Sequence, residues 1–357
     1  MQLSVPVDSA TVRVIARLDS LRGAWSQGPG LRTDRLEQLR AAATVQSIGS
    51  SCRLSGVRLS DGDVGGLLRD SGALHPERPV AVAYARAMDW AGLDTGQPLD
   101  EDRLRRLHAI VSGASPDSGP SPWRDKVSQP EAFGPDGKAL GRVFTTLPPR
   151  LIVAKLDKLL GWHELEVRSG ETHPVLAAGV FTLGFLSASP FNGGNGRMAR
   201  LLAVRLLERA GYAHVRYSSL ERVFEETQLE FLDAQDASTT RLWSGDAQLK
   251  PWLDYFLQSL ELQLERVERV IDRERQAVRL SPLQRLILDI VGEHGEAETA
   301  LLLEATGANR NTLKDNMRKL VDAGLVERLG QRRGTRYRLA SSLMTDPFDA
   351  GSAGAEH

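Results

Sequence analysis

Three scarcities narrow the field before any motif is read. Cysteine occurs once in 357 residues, as Cys52, which excludes an internal disulfide and any zinc site built on paired cysteines. No apolar run approaches the ~18 residues of a membrane span, and residues 1–25 carry arginines and aspartates where a signal peptide needs an apolar block. A cytoplasmic protein without membrane contact is therefore expected. Neither sign of charge dominates: 45 lysines and arginines against 46 aspartates and glutamates leave −1, so nucleic-acid binding has to come from a local patch. Aromatic residues make up only 6%, and no repeat of roughly 20 to 50 residues is visible. What is present, 41% hydrophobic and 25% charged residues, is the composition of an ordinary globular chain. Its length exceeds the roughly 100 to 200 residues usual for one domain.

Apolar residues recur at three- and four-residue spacing over 10–74, with a Gly-Pro-Gly break at 28–30, and again over 79–91 and 99–112. These stretches read as helices. Residues 113–149 are rich in Gly, Pro, Ser and Asp around one strand-like run, 141–147, which predicts a loop region with a short hairpin. The helical period returns in 152–164, 174–186 and 196–209. Over 249–280, Leu253, Leu257, Leu260, Leu264, Val267 and Ile271 alternate in spacings of four and three. That is the repeat of a coiled-coil seam, which would join a homodimer, and equally a stripe that docks on the preceding domain.

Residues 281–340 read as a separate module. Ser281-Pro282 starts a helix buried through Leu283, Leu286, Ile287, Ile290 and Val291, a short helix covers 298–305, and Asn309 or Asn311 caps a third helix buried through Leu313, Met317, Leu320 and Val321. Two strand-like runs, 325–329 and 335–339, flank a turn at 330–334. Three helices and a two-stranded wing predict a winged helix-turn-helix. On the wing, Arg328, Arg332, Arg333, Arg336 and Arg338 against Glu327 leave +4, and the third helix carries Arg310, Asn311, Thr312, Lys314 and Arg318. Side chains of these types reach phosphates and base edges, so double-stranded DNA is the expected partner.

The joint Ser189-Pro190-Phe191-Asn192-Gly193-Gly194-Asn195-Gly196-Arg197-Met198-Ala199-Arg200 leads from one helix into the next. Glycines bring free N–H groups of a helix start close to a bound anion, and Arg197 and Arg200 add charge, so a phosphate fits. The segment resembles the signature of the Fic family, H-x-F-x-[D/E]-G-N-G-R-x-x-R, through Phe191, Gly194, Asn195, Gly196, Arg197 and Arg200. His173-Pro174, Trp123-Arg124 and Leu147-Pro148-Pro149 are similar to the helix start and flap of that family, and residues 50–56 resemble its N-terminal inhibitory motif.

The resemblance implies a mainly α fold: a Fic (Fido) helical domain with a β-hairpin flap, followed by the winged helix-turn-helix. It implies transfer of AMP from ATP to hydroxyls of a target protein, with the motif histidine as base and the acidic residue holding Mg²⁺. Here Ser189 replaces the histidine, Gly193 the acid and Ser55 the inhibitory glutamate. A serine accepts no proton near pH 7, and the loss of a general base costs about 10² to 10⁴ in rate. Ser189 as a nucleophile would need a neighbouring base, and the motif holds none. His173, at the head of an apolar helix, reads as a cap.

The expected division is 1–78 helical with an inhibitory-type helix, 79–248 Fic core, 249–280 connecting helix, 281–340 winged helix and 341–357 a disordered tail. The expected function is a catalytically impaired Fic-fold regulator. It binds DNA and a nucleotide, such as ATP, or another phosphorylated ligand, requires no cofactor, has no metal site and does not hold Mg²⁺ through Gly193. The alternative is an adenylyltransferase with an unusual site, acting on a protein target.

Overall fold

The structure, a computed structural model, describes residues 3–340 except 29, 70–74, 94–97, 135–136, 240, 245, 279 and 331–334. The chain divides into two compact units, Met1–Leu264 and Glu265–His357. No helix among the described residues is long and apolar enough to cross a membrane.

The first unit is almost wholly helical. Asp8 starts α1 (Ser9–Ser26) by accepting the Thr11 N–H at 2.9 Å. Then come α2 (Thr33–Arg53), α3 (Asp61–Arg69), α4 (Arg78–Leu93) and α5 (Glu101–Val111), the last capped by Asp100. The expected hairpin is β1 (Glu131–Phe133) paired antiparallel with β2 (Ala139–Val143), so its second strand begins and ends earlier than the run 141–147 indicates. Next are α6 (Ile152–Ser169), α7 (Pro174–Ala188) and α8 (Asn195–Arg209). Every residue from Val175 to Ala188 is buried, which is why α7 is apolar all round and forms the centre of the core. Two short helices, α9 (Leu220–Glu226) and α10 (Gln228–Thr239), lead to α11 (Lys250–Val278).

The four-and-three stripe on α11 serves the chain's own core. Leu253, Leu257, Leu260 and Leu264 belong to the same buried cluster as α7, and the Trp252 indole N–H donates to the Gly179 carbonyl at 2.8 Å. A Cβ on Gly179 would lie 2.9 Å from Phe256 and 3.0 Å from Leu253, so glycine is what lets the two helices come this close. Val267 and Ile271 are buried as well. Leu253, Leu257, Leu260 and Leu264, which the four-and-three spacing offers to a dimer seam, are thus covered within the first unit.

The second unit holds α12 (Pro282–His294), β3 (Glu296–Glu298), α13 (Thr299–Thr306), α14 (Arg310–Asp322), β4 (Val326–Leu329) and β5 (Arg336–Leu339). Its strands form an antiparallel sheet in the order β3-β5-β4, around a core that includes Ile287, Val291, Leu302, Leu313, Met317 and Leu320. Ser281 makes a full capping box with Gln284, and Asn309, rather than Asn311, caps α14. Leu286, expected inside, is 41% exposed. β3 was not expected, because three residues, Glu-Ala-Glu, carry no strand signature until β5 pairs with them.

Buried imidazoles make the first unit acid-sensitive. His108, His163 and His214 are each pulled down to about 4 from 6.5, chiefly by burial. The unfolded chain therefore binds more protons between those values, so stability is full above pH 6.5 and falls as the pH drops toward 4. The urea midpoint is expected to fall between pH 7 and pH 5, above the range where carboxylates titrate, with a loss of roughly a few kcal/mol. A midpoint level across that window contradicts neutral buried imidazoles.

Candidate functional site

The turn between α7 and α8 is held from several sides. His173 caps α7 as expected, its Nδ1 accepting the Val175 N–H at 3.4 Å. At the other end Ser189 takes φ 40, the one positive value at a non-glycine among the described residues, and its hydroxyl donates to the Leu186 carbonyl at 2.8 Å. Gly194, at φ 71, is the N-cap of α8. The Asn195 amide closes the loop on one residue, accepting the Phe191 N–H at 3.0 Å and donating to the Phe191 carbonyl at 2.8 Å. Asn195 thus fixes the loop's shape, and only its backbone is left for a ligand.

Two residues outside the motif complete the support. His108, on α5, stacks on Phe191 with ring centres 3.7 Å apart. Its Nε2 lies 2.8 Å from the Gly193 carbonyl and its Nδ1 2.8 Å from the Ser121 hydroxyl. The carbonyl can only accept, so Nε2 carries the proton and Nδ1 accepts from Ser121. Neither nitrogen is a free base. Arg124 is 2% exposed and donates to the carbonyls of Ser189 at 2.7 Å, Lys126 at 2.7 Å and Ala188 at 3.3 Å, to the Leu147 carbonyl, and to the Thr146 hydroxyl at 3.1 Å. It ties the flap region to the end of α7.

The two motif arginines differ. Arg197 donates to the Val111 carbonyl at 3.1 Å, while its Nε is buried without a partner among the described residues. Arg200 is 6% exposed and docked on the end of α2. It donates to Ser51 Oγ at 2.9 Å, to the Ser51 carbonyl at 2.8 Å and to Ser55 Oγ at 3.0 Å. Ser55, in the place of the inhibitory glutamate, therefore engages Arg200 as a neutral acceptor where a glutamate would make an ion pair. The end of α2 is itself anchored by Arg53, which pairs with Glu225 at 2.5 Å and Asp61 at 2.9 Å.

These residues line a cavity of about 320 Å³. One end is polar, with Gly193, Gly194, Gly196, Arg197, Arg200 and Ser55; the other is walled by Phe133 and Phe144 of the hairpin region and by Phe224, Phe231 and Leu232. Among the described residues, Glu131 is the one carboxylate on its lining. A Cβ on Gly193 would meet nothing within 4 Å, so this position has room for the acidic side chain it lacks. The Mg²⁺ that the family resemblance implies does not fit the residues present. Gly193 supplies no carboxylate, and no group of three His, Cys, Asp or Glu side chains suited to a metal occurs among the described residues.

Residues 98–207, from just before α5 through the glycine loop into the last turn of α8, match the model of the Fic/DOC family. This segment is similar to a Fic domain. The fold around this segment recurs in a Fic family protein from Desulfovibrio desulfuricans, with a TM-score of 0.58 at 19% identity over 95% of this chain and 98% of that one. A Fic-domain-containing signaling protein from Bacteroides thetaiotaomicron gives 0.58 at 20% identity over 72% of this chain and 97% of that one. At such identities the likeness carries the fold. No curated protein matches the chain.

In the second unit, Arg310, Asn311, Thr312, Lys314 and Arg318 all lie exposed on α14. Arg332 and Arg333 lie outside the described residues. The excess of +4 expected on the wing is reduced by neighbours the sequence count omitted. Arg338 pairs with Glu327 at 2.7 Å, and Arg336 reaches Glu298 at 3.3 Å and Glu296 at 3.5 Å, both glutamates on β3. Among the described residues, Arg328, Arg336 and Arg338 thus face Glu296, Glu298 and Glu327, three against three.

His108 is the neighbour that sequence reasoning missed, and Arg124, read there only as part of the flap, proves to hold the Ser189 carbonyl. His108 sits 85 residues from the Gly193 carbonyl it holds, and no local spacing points to that contact.

Proposed function

We propose that the cavity of the Fic domain binds a phosphate-bearing ligand, a nucleotide before others, and does not transfer it to a hydroxyl. The observation that carries this reading is Arg197: a guanidinium lining the cavity beside the glycine loop, with a buried Nε that no acceptor among the described residues satisfies. A ligand phosphate supplies the missing acceptor, and the phenylalanines at the other end suit a base. Absence of turnover rests on the surroundings of Ser189. Its proton goes to a backbone carbonyl, His108 is committed to Gly193 and Ser121, and no carboxylate stands at Gly193. In thermal shift across nucleotides, a ligand at 100 times its Kd is expected to stabilise the fold by about 2.7 kcal/mol, and Arg197→Ala is expected to remove the response. Silence toward every nucleotide and phosphate compound would reduce the loop to a structural turn.

The second unit we read as a winged helix that binds double-stranded DNA. What supports this is α14, which exposes four kinds of phosphate- or base-reading side chain on one short helix. The neutralised strands shift the weight of the interaction from the wing to that helix. Lys314→Ala and Arg318→Ala are each expected to lower the salt slope of binding by about one unit if each meets one phosphate, while changes at Arg310 or Asn311 should alter the preferred sequence. Selection from genomic fragments followed by gel shift at two salt concentrations is the measurement. Absence of any specific complex assigns the unit to protein docking.

A further inference from the structure

A second cavity, of about 300 Å³, opens farther along the same α2–α8 seam. Arg197 and Arg200 on α8 face the first cavity; Leu201, Val204, Arg205 and Glu208, one to two turns on, face the second. Along α2 the order is the same, with Ser55, just past its end, in the first and Ser47, Thr44 and Arg40 in the second. The docked pair of Arg200 and Ser51 separates them.

We propose that this second cavity is a binding site for a small anion, a carboxylate or a phosphate, with Arg205 as its buried contact and Arg40 at its rim. An account of donors and acceptors leads there. Arg205 is 9% exposed, and its Nη2 is buried without a partner among the described residues. Its one carboxylate neighbour is shared: Glu208 touches Arg205 through Oε2 and accepts from Arg216 Nε at 2.6 Å through Oε1. Burial, and then the neighbouring Arg216, Arg209 and Arg103, lower Arg205 to about 10, the mark of a site crowded with positive charge.

The other acid inside, Glu221, is occupied as well, accepting from Ser47 at 2.8 Å and from Ser219 and Tyr84 at 3.3 Å. Asp89 lines the rim. Among the described residues Glu208 Oε2 also lacks a hydrogen bond but already sits against Arg205 Nη1, so the demand left over is that of Arg205 Nη2 for an acceptor oxygen, and a buried guanidinium nitrogen is a costly group to leave unpaired. Arg40 is exposed where an incoming anion would pass.

Titration calorimetry of the full chain carrying Arg197→Ala tests this without interference from the first cavity, using inorganic phosphate and succinate separately. One anion is expected to bind with one-to-one stoichiometry, and the one preferred names the ligand's acid group. Adding Arg40→Ala should weaken binding about tenfold or more, as loss of a charged hydrogen bond does. Arg205→Lys keeps a cation for Glu208 and loses the fork, so it should weaken binding at least as much. If Arg205→Lys does not fold, the surface change Arg40→Ala decides by itself. No saturable heat with either anion, or binding indifferent to both changes, overturns the proposal.

Discussion

The double variant Ser189→His, Gly193→Asp is expected to raise AMP transfer from ATP by about 10² to 10⁴ over the unaltered chain, the range a positioned general base supplies. Both positions admit the change. Histidine is among the residues that tolerate the left-handed backbone of Ser189, and a Cβ at Gly193 meets open space. The carboxylate would also give a hard cation a ligand that the present site lacks. The docked Arg200 tempers the gain, since Ser51 and Ser55 hold it away from a ligand. Adding Ser55→Ala removes one of those bonds, worth about 1 kcal/mol, and should raise the rate a further few-fold. Initial rates with labelled ATP and a generic protein acceptor check both steps. A double variant no faster than the parent would mean that the cavity has diverged beyond the motif.

The largest loss of stability is expected at Arg124. Arg124→Met keeps much of the side chain's length and apolar stem but strands the carbonyls of Ser189, Lys126, Leu147 and Ala188 around a site 2% exposed. Loss of such a network should cost about 3 to 5 kcal/mol, or a fall of about 10 °C in the midpoint for a unit of this size. Arg106→Met on α5, where the guanidinium is 43% exposed in an i,i+4 pair with Asp102, serves as the control and should cost under about 1 kcal/mol. Equal losses from the two would show that Arg124 contributes only its bulk.

Features written in neighbouring residues were legible before the fold was known. Ser281-Pro282 opens α12 and His173-Pro174 opens α7, because a cap and a fixed φ act within one turn. The glycine loop likewise announces itself, since Gly194 meets a backbone requirement that few other residues can. Contacts made across the fold were not legible. The stripe on α11 has the period of a coiled coil, and only the close approach at Gly179 reveals which surface it covers. Ser55 reads as the loss of an inhibitory glutamate, yet its hydroxyl still reaches Arg200, because the end of α2 is positioned by Arg53 and not by the residue at 55. The wing reads as strongly basic until β3, too short to recognise, brings Glu296 and Glu298 beside Arg336. Helices α9 and α10, which wall the apolar end of the cavity, are too short for a clear period.

Incubation of the purified chain with α-labelled ATP and Mg²⁺, followed by separation under native and then denaturing conditions, divides binding from transfer in one sample. Label that travels with the native protein, is released as intact ATP on denaturation, and is lost in Arg197→Ala is the predicted result. Label that stays covalently on the chain or on added lysate proteins, and disappears in Arg197→Ala, would contradict it and make the protein a working transferase.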